Sequence, residues 1–175
     1  MEMDPFHIKT TLDFRKYVLF LAKGRATTTP RSLEEYLRAL WSLIQQAQAH
    51  RVTYALLGQL LHDAFLAEPL PFDEHWLQYN APPDLDRAEN GNAFSVLHHM
   101  ICYQIADLHR MDQAGLLEKE WRYLGIDSPT GHRWFNFDPS SYLECAAQTL
   151  REDDVSTAAG WINLAILLWL GQIYE

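Results

Sequence analysis

Cysteine and basic residues are scarce in this chain, and both shortages exclude classes of protein. Cys102 and Cys145 are its two cysteines, too few for the disulfide framework that holds small secreted domains together. Lysine and arginine total 14 against 23 acidic residues, and the net charge is −9 at pH 7. Nucleic acids and anionic membrane surfaces need a basic cluster, so we expect neither as a partner. A protein with a basic surface is the electrostatically favoured match.

Signal sequences and membrane-spanning patterns are also missing. The chain begins MEMDPFHIKTT, which is acidic at first and contains no apolar signal-peptide core, so we expect a cytoplasmic protein. Residues 155–174 carry no charge, but Asn163 and Gln172 lie inside this stretch and Gly160 and Gly171 interrupt it. A membrane-spanning helix is usually more uniformly apolar. We therefore predict a helix in the centre of a helical bundle.

Helical periodicity dominates the rest of the chain. Ser32 and Glu35 form a capping-box pattern, and Asp138 followed by Pro139 is a second helix start. The sequence predicts an all-α fold: a single-domain irregular bundle over residues 1–175, with about six to seven helices and a buried apolar C-terminal helix.

The predicted helices are separated by turn-forming and helix-breaking residues. They are expected at 11–23, from Ser32 through Ile44, at 53–67, 73–79, 93–113 and 116–124, from Asp138 onward, and from Asp153 or Asp154 to the C-terminus. Four prolines break an irregular Pro-rich connector around 68–92: Pro69, Pro71, Pro82 and Pro83. A loop rich in turn formers and aromatic residues is expected at 126–137.

One predicted helix carries a His-Asp pair in the context Gly58-Gln59-Leu60-Leu61-His62-Asp63-Ala64. This segment resembles the metal-binding centre of the HD-domain phosphohydrolases, an all-helical superfamily. The resemblance implies that His62 and Asp63 ligate a divalent metal, which activates water for attack on a phosphate ester. It also implies one histidine upstream and one aspartate downstream, for which the candidates are His7, His50, Asp107 and Asp112. The alternative is that both side chains face solvent and hydrogen-bond locally.

A second candidate metal site lies on the predicted helix at 93–113. His98 and Cys102 are four residues apart and share one helical face, so an imidazole and a thiolate could together bind zinc or copper. His109 shares that face but lies roughly 16 Å further along the axis, too far for the same ion. The alternative is a buried thiol beside a hydrogen-bonded histidine. A divalent metal is the one cofactor that the sequence leaves open.

Two aromatic segments outside the long helices are candidate recognition surfaces, because Trp and Arg are favoured interface anchors. One is the loop at residues 131–137, and the other is the segment 70–76 of the Pro-rich connector. The candidate binding residues are Trp76, His132, Arg133, Trp134 and Phe135. The alternative is that these aromatic side chains anchor their segments to the core.

No phosphate-binding loop, nucleophile elbow or complete catalytic set occurs in the sequence, so the prediction leans away from an enzyme. The leading hypothesis is a non-enzymatic protein-binding module, comparable in class to immunity or adaptor proteins. The alternatives are a metal-dependent helical phosphohydrolase centred on His62 and Asp63, and a structural homo-oligomer whose exposed aromatics are buried between copies. The sequence specifies no oligomeric state.

Overall fold

The computed structural model describes residues 7–25, 31–88, 91–118, 125–151 and 159–173. Within these ranges the chain forms six α-helices and one short antiparallel hairpin, which confirms the predicted all-α class. The helices are α1 (Thr11–Arg25), α2 (Leu33–Ala47), α3 (Tyr54–Asp63), α4 (Ala93–Gln113), α5 (Pro139–Thr149) and α6 (Trp161–Ile173). The strands are β1 (Ile126–Asp127) and β2 (Arg133–Trp134), and short 3₁₀ helices lie at Glu74–Gln78, Leu85–Arg87 and Leu116–Glu118.

Local capping determines where α2 and α5 begin. The Ser32 hydroxyl accepts a hydrogen bond from the Glu35 backbone N–H at 3.1 Å, and the Glu35 carboxylate accepts one from the Ser32 N–H at 3.4 Å. The Asp138 carboxylate accepts from the Ser141 N–H at 2.9 Å. These bonds satisfy N–H groups that a helix start leaves without a partner, and both predicted caps are confirmed.

One buried apolar cluster takes side chains from all six helices. Helix α4 packs against α2 and α6, while α1 packs against α3 and α5. Helices α5 and α6 approach so closely that a Cβ at Gly171 would lie 2.9 Å from the Tyr142 ring. A larger residue at this position would push the two helices apart.

Helix α6 is the buried apolar C-terminal helix that the sequence predicts. Its polar side chains form hydrogen bonds inside the core: the Gln172 amide donates to the Tyr103 hydroxyl at 2.8 Å, and the Asn163 amide donates to the Tyr54 hydroxyl at 3.0 Å. Buried polar groups need such partners. No helix among the described residues is both long and apolar enough to cross a membrane.

Several predicted boundaries are wrong. The predicted start of the last helix at Asp153 or Asp154 lies outside the described residues, but the helix is not continuous from there, because residues 159–160 are non-helical and α6 begins at Trp161. Helix α3 ends at Asp63 and not at Ala67, since the chain turns there and the Arg31 guanidinium donates to the carbonyls of Ala64 and Ala67.

Two further differences concern short elements. The segment 116–124 forms a 3₁₀ turn at Leu116–Glu118, and residues 119–124 lie outside the described ranges. The loop at 126–137 contains the hairpin, in which Ile126 pairs with Trp134. Strands of two residues are too short to leave an alternating pattern in the sequence.

Candidate functional site

The Pro-rich connector, described over residues 68–88, is held against the bundle by contacts at both ends of its first half. The Phe72 ring stacks on the His109 imidazole, with centroids 3.7 Å apart and planes at 10°. The Arg38 guanidinium of α2 donates to the Leu70 carbonyl at 2.7 Å, and the Arg110 guanidinium of α4 donates to the Leu77 carbonyl. These contacts fix the connector backbone across α2 and α4.

A groove of about 690 Å³ opens between this connector, α2 and α4. We call it the connector groove. It is lined by Trp41, Gln45, Leu70, Pro71, Phe72, Asp73, Glu74, His75, Trp76, Gln78, Tyr79 and His98. Trp41 and Trp76 are buried, whereas Asp73, Glu74 and His75 are exposed. The groove therefore combines an aromatic floor with an acidic rim.

The aromatic floor is part of a continuous row of ring contacts. Trp161 meets Phe94 at 5.7 Å between centroids, Phe94 meets Trp41 at 5.8 Å, Trp41 meets His98 at 4.9 Å, and His98 meets Tyr79 at 5.4 Å. Tilted and edge-on pairs at these distances are favourable. Each ring of the floor is therefore packed against at least one neighbouring ring.

The formal charges that line the groove have one sign. Burial lowers the pKa of His98, and the neighbouring His99 lowers it further, so the His98 imidazole is neutral at pH 7. Desolvation raises the pKa of Tyr79, which stays protonated. None of the lining residues is a lysine or arginine. The formal charge facing the groove is therefore the negative charge of Asp73 and Glu74.

The 3₁₀ helix Glu74–Gln78 positions the acidic rim. The Asp73 carboxylate accepts a hydrogen bond from the His75 backbone N–H at 2.9 Å and so caps the helix. Behind it, Trp76 packs edge-on against Phe72, with centroids 5.5 Å apart and planes at 81°. Trp76, predicted from the sequence as a binding residue, thus lies in the groove, next to the capped carboxylate.

The predicted binding residues of the hairpin lie elsewhere. Trp134 is fully buried and its indole N–H donates to the Asp107 carboxylate at 2.8 Å, so this ring anchors the hairpin to the core, as the alternative interpretation expects. Arg133 is exposed and its guanidinium donates to the Asp127 carboxylate at 2.9 Å, which lowers the pKa of Asp127. Its charge is therefore already paired.

His132 and Phe135 also contact their own fold. The His132 ring lies edge-on to Tyr103, with centroids 5.4 Å apart, and one ring nitrogen lies 3.2 Å from the Asn80 carbonyl. Phe135 packs on the backbone of Gly125, which has a φ of +70°, and a Cβ there would lie 2.8 Å from the Phe135 ring. The structure does not bring these residues into the connector groove.

His62 and Asp63, which the sequence predicts as metal ligands, contact each other directly. The His62 Nδ1 atom lies 2.9 Å from the Asp63 carboxylate, which also accepts from the Gln59 amide at 2.7 Å. Across the described parts of the chain, no group of three or more His, Cys, Asp or Glu residues is placed to hold a metal ion. The phosphohydrolase hypothesis stays a prediction, and metal stoichiometry of the wild type against Asp63→Asn would test it.

His98 and Cys102 lie on one helix but have different surroundings. Cys102 is fully buried, and desolvation with a contribution from Asp73 raises the pKa of its thiol to about 12. Metal ligation requires the thiolate, which this environment disfavours. The His98 ring instead lies between Trp41 and Tyr79. This pair, too, remains a prediction.

Two groove residues escape sequence reasoning as functional residues: Trp41 and Tyr79. Helical periodicity places Trp41 on the buried stripe of α2, which is where it lies. Phe72 belongs to the candidate segment 70–76, and Tyr79 follows that segment. The density of aromatic residues between prolines identifies this segment, but not the element against which it packs.

A smaller groove of about 440 Å³ lies beside the second half of the connector, where Asp84 and Asp86 face Trp169 of α6. It shares the acidic and aromatic composition of the connector groove but has a single aromatic ring.

Comparisons with protein-family models, with curated proteins and with solved structures found no match for this chain.

Proposed function

We propose that this protein is a non-enzymatic binding module that binds a protein partner with a basic surface through the connector groove. The observation that carries the proposal is the combination of a packed aromatic floor with a rim whose formal charges are carboxylates. Buried, well-packed aromatic pockets surrounded by polar residues are where interface energy concentrates. Such a module acts by occupying its partner's surface, as immunity and adaptor proteins do.

The size of the groove suits an anchor point within a larger interface. Its volume of about 690 Å³ is in the range of pockets that hold a small ligand, whereas a stable interface covers about 800 Å² on each partner. The exposed side chains of the connector, among them Gln78 and Leu77, would form the polar and apolar surroundings of that anchor. The net charge of −9 would speed the encounter with a basic partner.

The test compares two charge-matched double variants. Asp73→Asn with Glu74→Gln removes two negative charges from the groove rim, and Asn at position 73 keeps the helix cap. Asp112→Asn with Glu144→Gln removes two charges from residues that do not line the groove. Affinity purification with the wild type and both variants identifies proteins lost by the rim variant alone, and calorimetry with the purified partner measures the affinity.

We expect the rim variant to weaken partner binding by about tenfold, equivalent to about 1.4 kcal/mol, and the control variant to leave it unchanged. A partner whose affinity depends on Asp112 and Glu144, or on neither pair, would contradict the proposal. Recovery of the protein's own chain as the sole specific partner would favour the homo-oligomer hypothesis.

A further inference from the structure

We propose that the connector groove receives an arginine side chain of the partner, with the guanidinium held between the aromatic rings and the carboxylates of Asp73 and Glu74. This inference rests on the proposed function and specifies the chemistry of its anchor.

The negative charge of the groove rim limits which partner side chain can bind. Asp73 and Glu74 are exposed at the rim, and no lysine or arginine lines the groove to neutralise them. The Asp73 carboxylate is held in place by the His75 N–H, so it needs little reordering to pair with a cation. An acidic side chain would be repelled, and a purely apolar one would cover the carboxylates without pairing them, which is unfavourable.

The aromatic lining restricts the occupant further. Phe72 and Tyr79 are half-buried. The Phe72 ring is stacked on His109 and lies at 81° to Trp76. The Tyr79 ring lies at 82° to His98 and at 57° to His99. Cations are attracted to the faces of such rings. Because the lowered pKa of His98 keeps its imidazole neutral, this ring does not repel a positive charge.

The two features together favour arginine over lysine. A guanidinium is planar and weakly hydrated, stacks on aromatic rings, and pairs with a carboxylate through two N–H groups, whereas an ammonium is a compact and strongly hydrated charge. The side-chain amides of Gln45 and Gln78, both exposed on the groove lining, offer further oxygens to a donor-rich group. A lysine would use fewer of these contacts.

The experiment uses three capped tripeptides, Gly-Arg-Gly, Gly-Lys-Gly and Gly-citrulline-Gly, titrated into the full chain. Citrulline keeps the shape of arginine but lacks its charge. The readout is the indole N–H resonances of the six tryptophans in a nitrogen-15 spectrum, with those of Trp41, Trp76 and Trp169 assigned by substitution to phenylalanine. The titrations are repeated in the rim and control variants.

We expect Gly-Arg-Gly to shift the Trp76 and Trp41 resonances saturably, to bind about threefold more tightly than Gly-Lys-Gly, and to outcompete citrulline completely. The rim variant should lose about threefold or more in affinity for Gly-Arg-Gly, and the control variant should match the wild type. Tyr79→Leu, which removes one ring and keeps the rim charges, should weaken Gly-Arg-Gly about twofold to fivefold.

Four results would overturn the inference: no saturable binding of Gly-Arg-Gly, citrulline binding as well as arginine, lysine binding at least as well, or the largest shift at Trp169 in the smaller groove. The proposed function fails separately. A partner that is lost by the rim variant while the arginine peptide does not bind would preserve the binding module and remove the arginine anchor. If the arginine peptide binds but no partner depends on the rim, the arginine site stands and the proposed binding module fails.

Discussion

The connector and the hairpin are both aromatic segments that contact α4, yet their tryptophans lie in different surroundings. In the hairpin, Trp134 is fully buried and hydrogen-bonded to Asp107. In the connector, Trp76 is buried behind a rim of exposed polar side chains and lines an open groove. Aromatic content alone therefore does not distinguish a segment that lines a groove from one that is anchored to the core.

The difference originates in the position of the carboxylates. Asp107 is fully buried on α4, and it accepts hydrogen bonds from the Trp134 indole at 2.8 Å and from the Thr130 hydroxyl at 2.6 Å. A buried carboxylate needs donors, and the hairpin supplies them by folding inward. The connector carboxylates Asp73 and Glu74 are exposed, so water satisfies them and they remain available to a partner.

The largest expected effect comes from removing the hairpin anchor. Trp134→Ala should lower the free energy of unfolding by about 3–5 kcal/mol, because it leaves a cavity and an unpaired Asp107 oxygen. His75→Ala, at an exposed site of the connector, should change it by less than about 0.5 kcal/mol. Urea unfolding measures both. A Trp134→Ala loss as small as that of His75→Ala would show that the hairpin does not belong to the core.

A smaller loss of folding stability should follow from changing Asp107, the buried carboxylate that accepts the Trp134 hydrogen bond. Asp107→Asn keeps the shape of the side chain but replaces one acceptor oxygen with an amide donor, which then faces either Thr130 or Trp134. We expect a loss of about 1–3 kcal/mol. Asp112→Asn, at an exposed site on the same helix, is the matched control and should be near neutral. Equal stability of the two variants in urea would refute this role of Asp107.

The rim should behave in the opposite way, with an effect on binding and almost none on folding. Asp73→Asn with Glu74→Gln should change the free energy of unfolding by less than about 0.5 kcal/mol, since the cap is kept and both side chains are exposed. The same variant should weaken partner binding as proposed above. A large loss of stability in urea would mean that the rim supports the fold and would undo the contrast with the hairpin.

The smallest expected effect is a dependence of stability on pH through His98. Burial lowers its folded pKa below the unfolded value of about 6.5, so the folded chain binds fewer protons between the two values. The stability linked to His98 is therefore present above about pH 6.5 and is lost as the pH falls toward the folded pKa.

Melting temperatures between pH 7.5 and pH 5 check this point. The wild type should lose more stability on acidification than His98→Asn, which does not titrate. The raised pKa of Glu34 acts in the opposite sense and cancels in the difference, because both proteins contain it. If the melting temperatures of the wild type and His98→Asn change with pH in parallel, the lowered pKa of His98 is contradicted.

Local signals predicted much of the fold. The caps at Ser32 and Asp138 rest on hydrogen bonds between residues three positions apart, and sequence shows such neighbours directly. The 20 uncharged residues that contain α6 also predicted its burial. By contrast, the end of α3 depends on Arg31, which reaches the carbonyls of Ala64 and Ala67 from a distant part of the chain, so a local pattern missed it.

For the candidate site, sequence identified the connector segment that ends at Trp76, and tertiary structure decided which elements it packs against. Composition and helical periodicity by themselves determined an acidic, all-α chain, because they depend on the residues alone or on near neighbours. The choice between groove and core required contacts across the fold: Phe72 on His109, Trp41 beside His98, and Trp134 on Asp107 at a separation of 27 residues. Such pairings are selected by packing and by the need to satisfy a buried charge, and those forces act only once the helices have assembled.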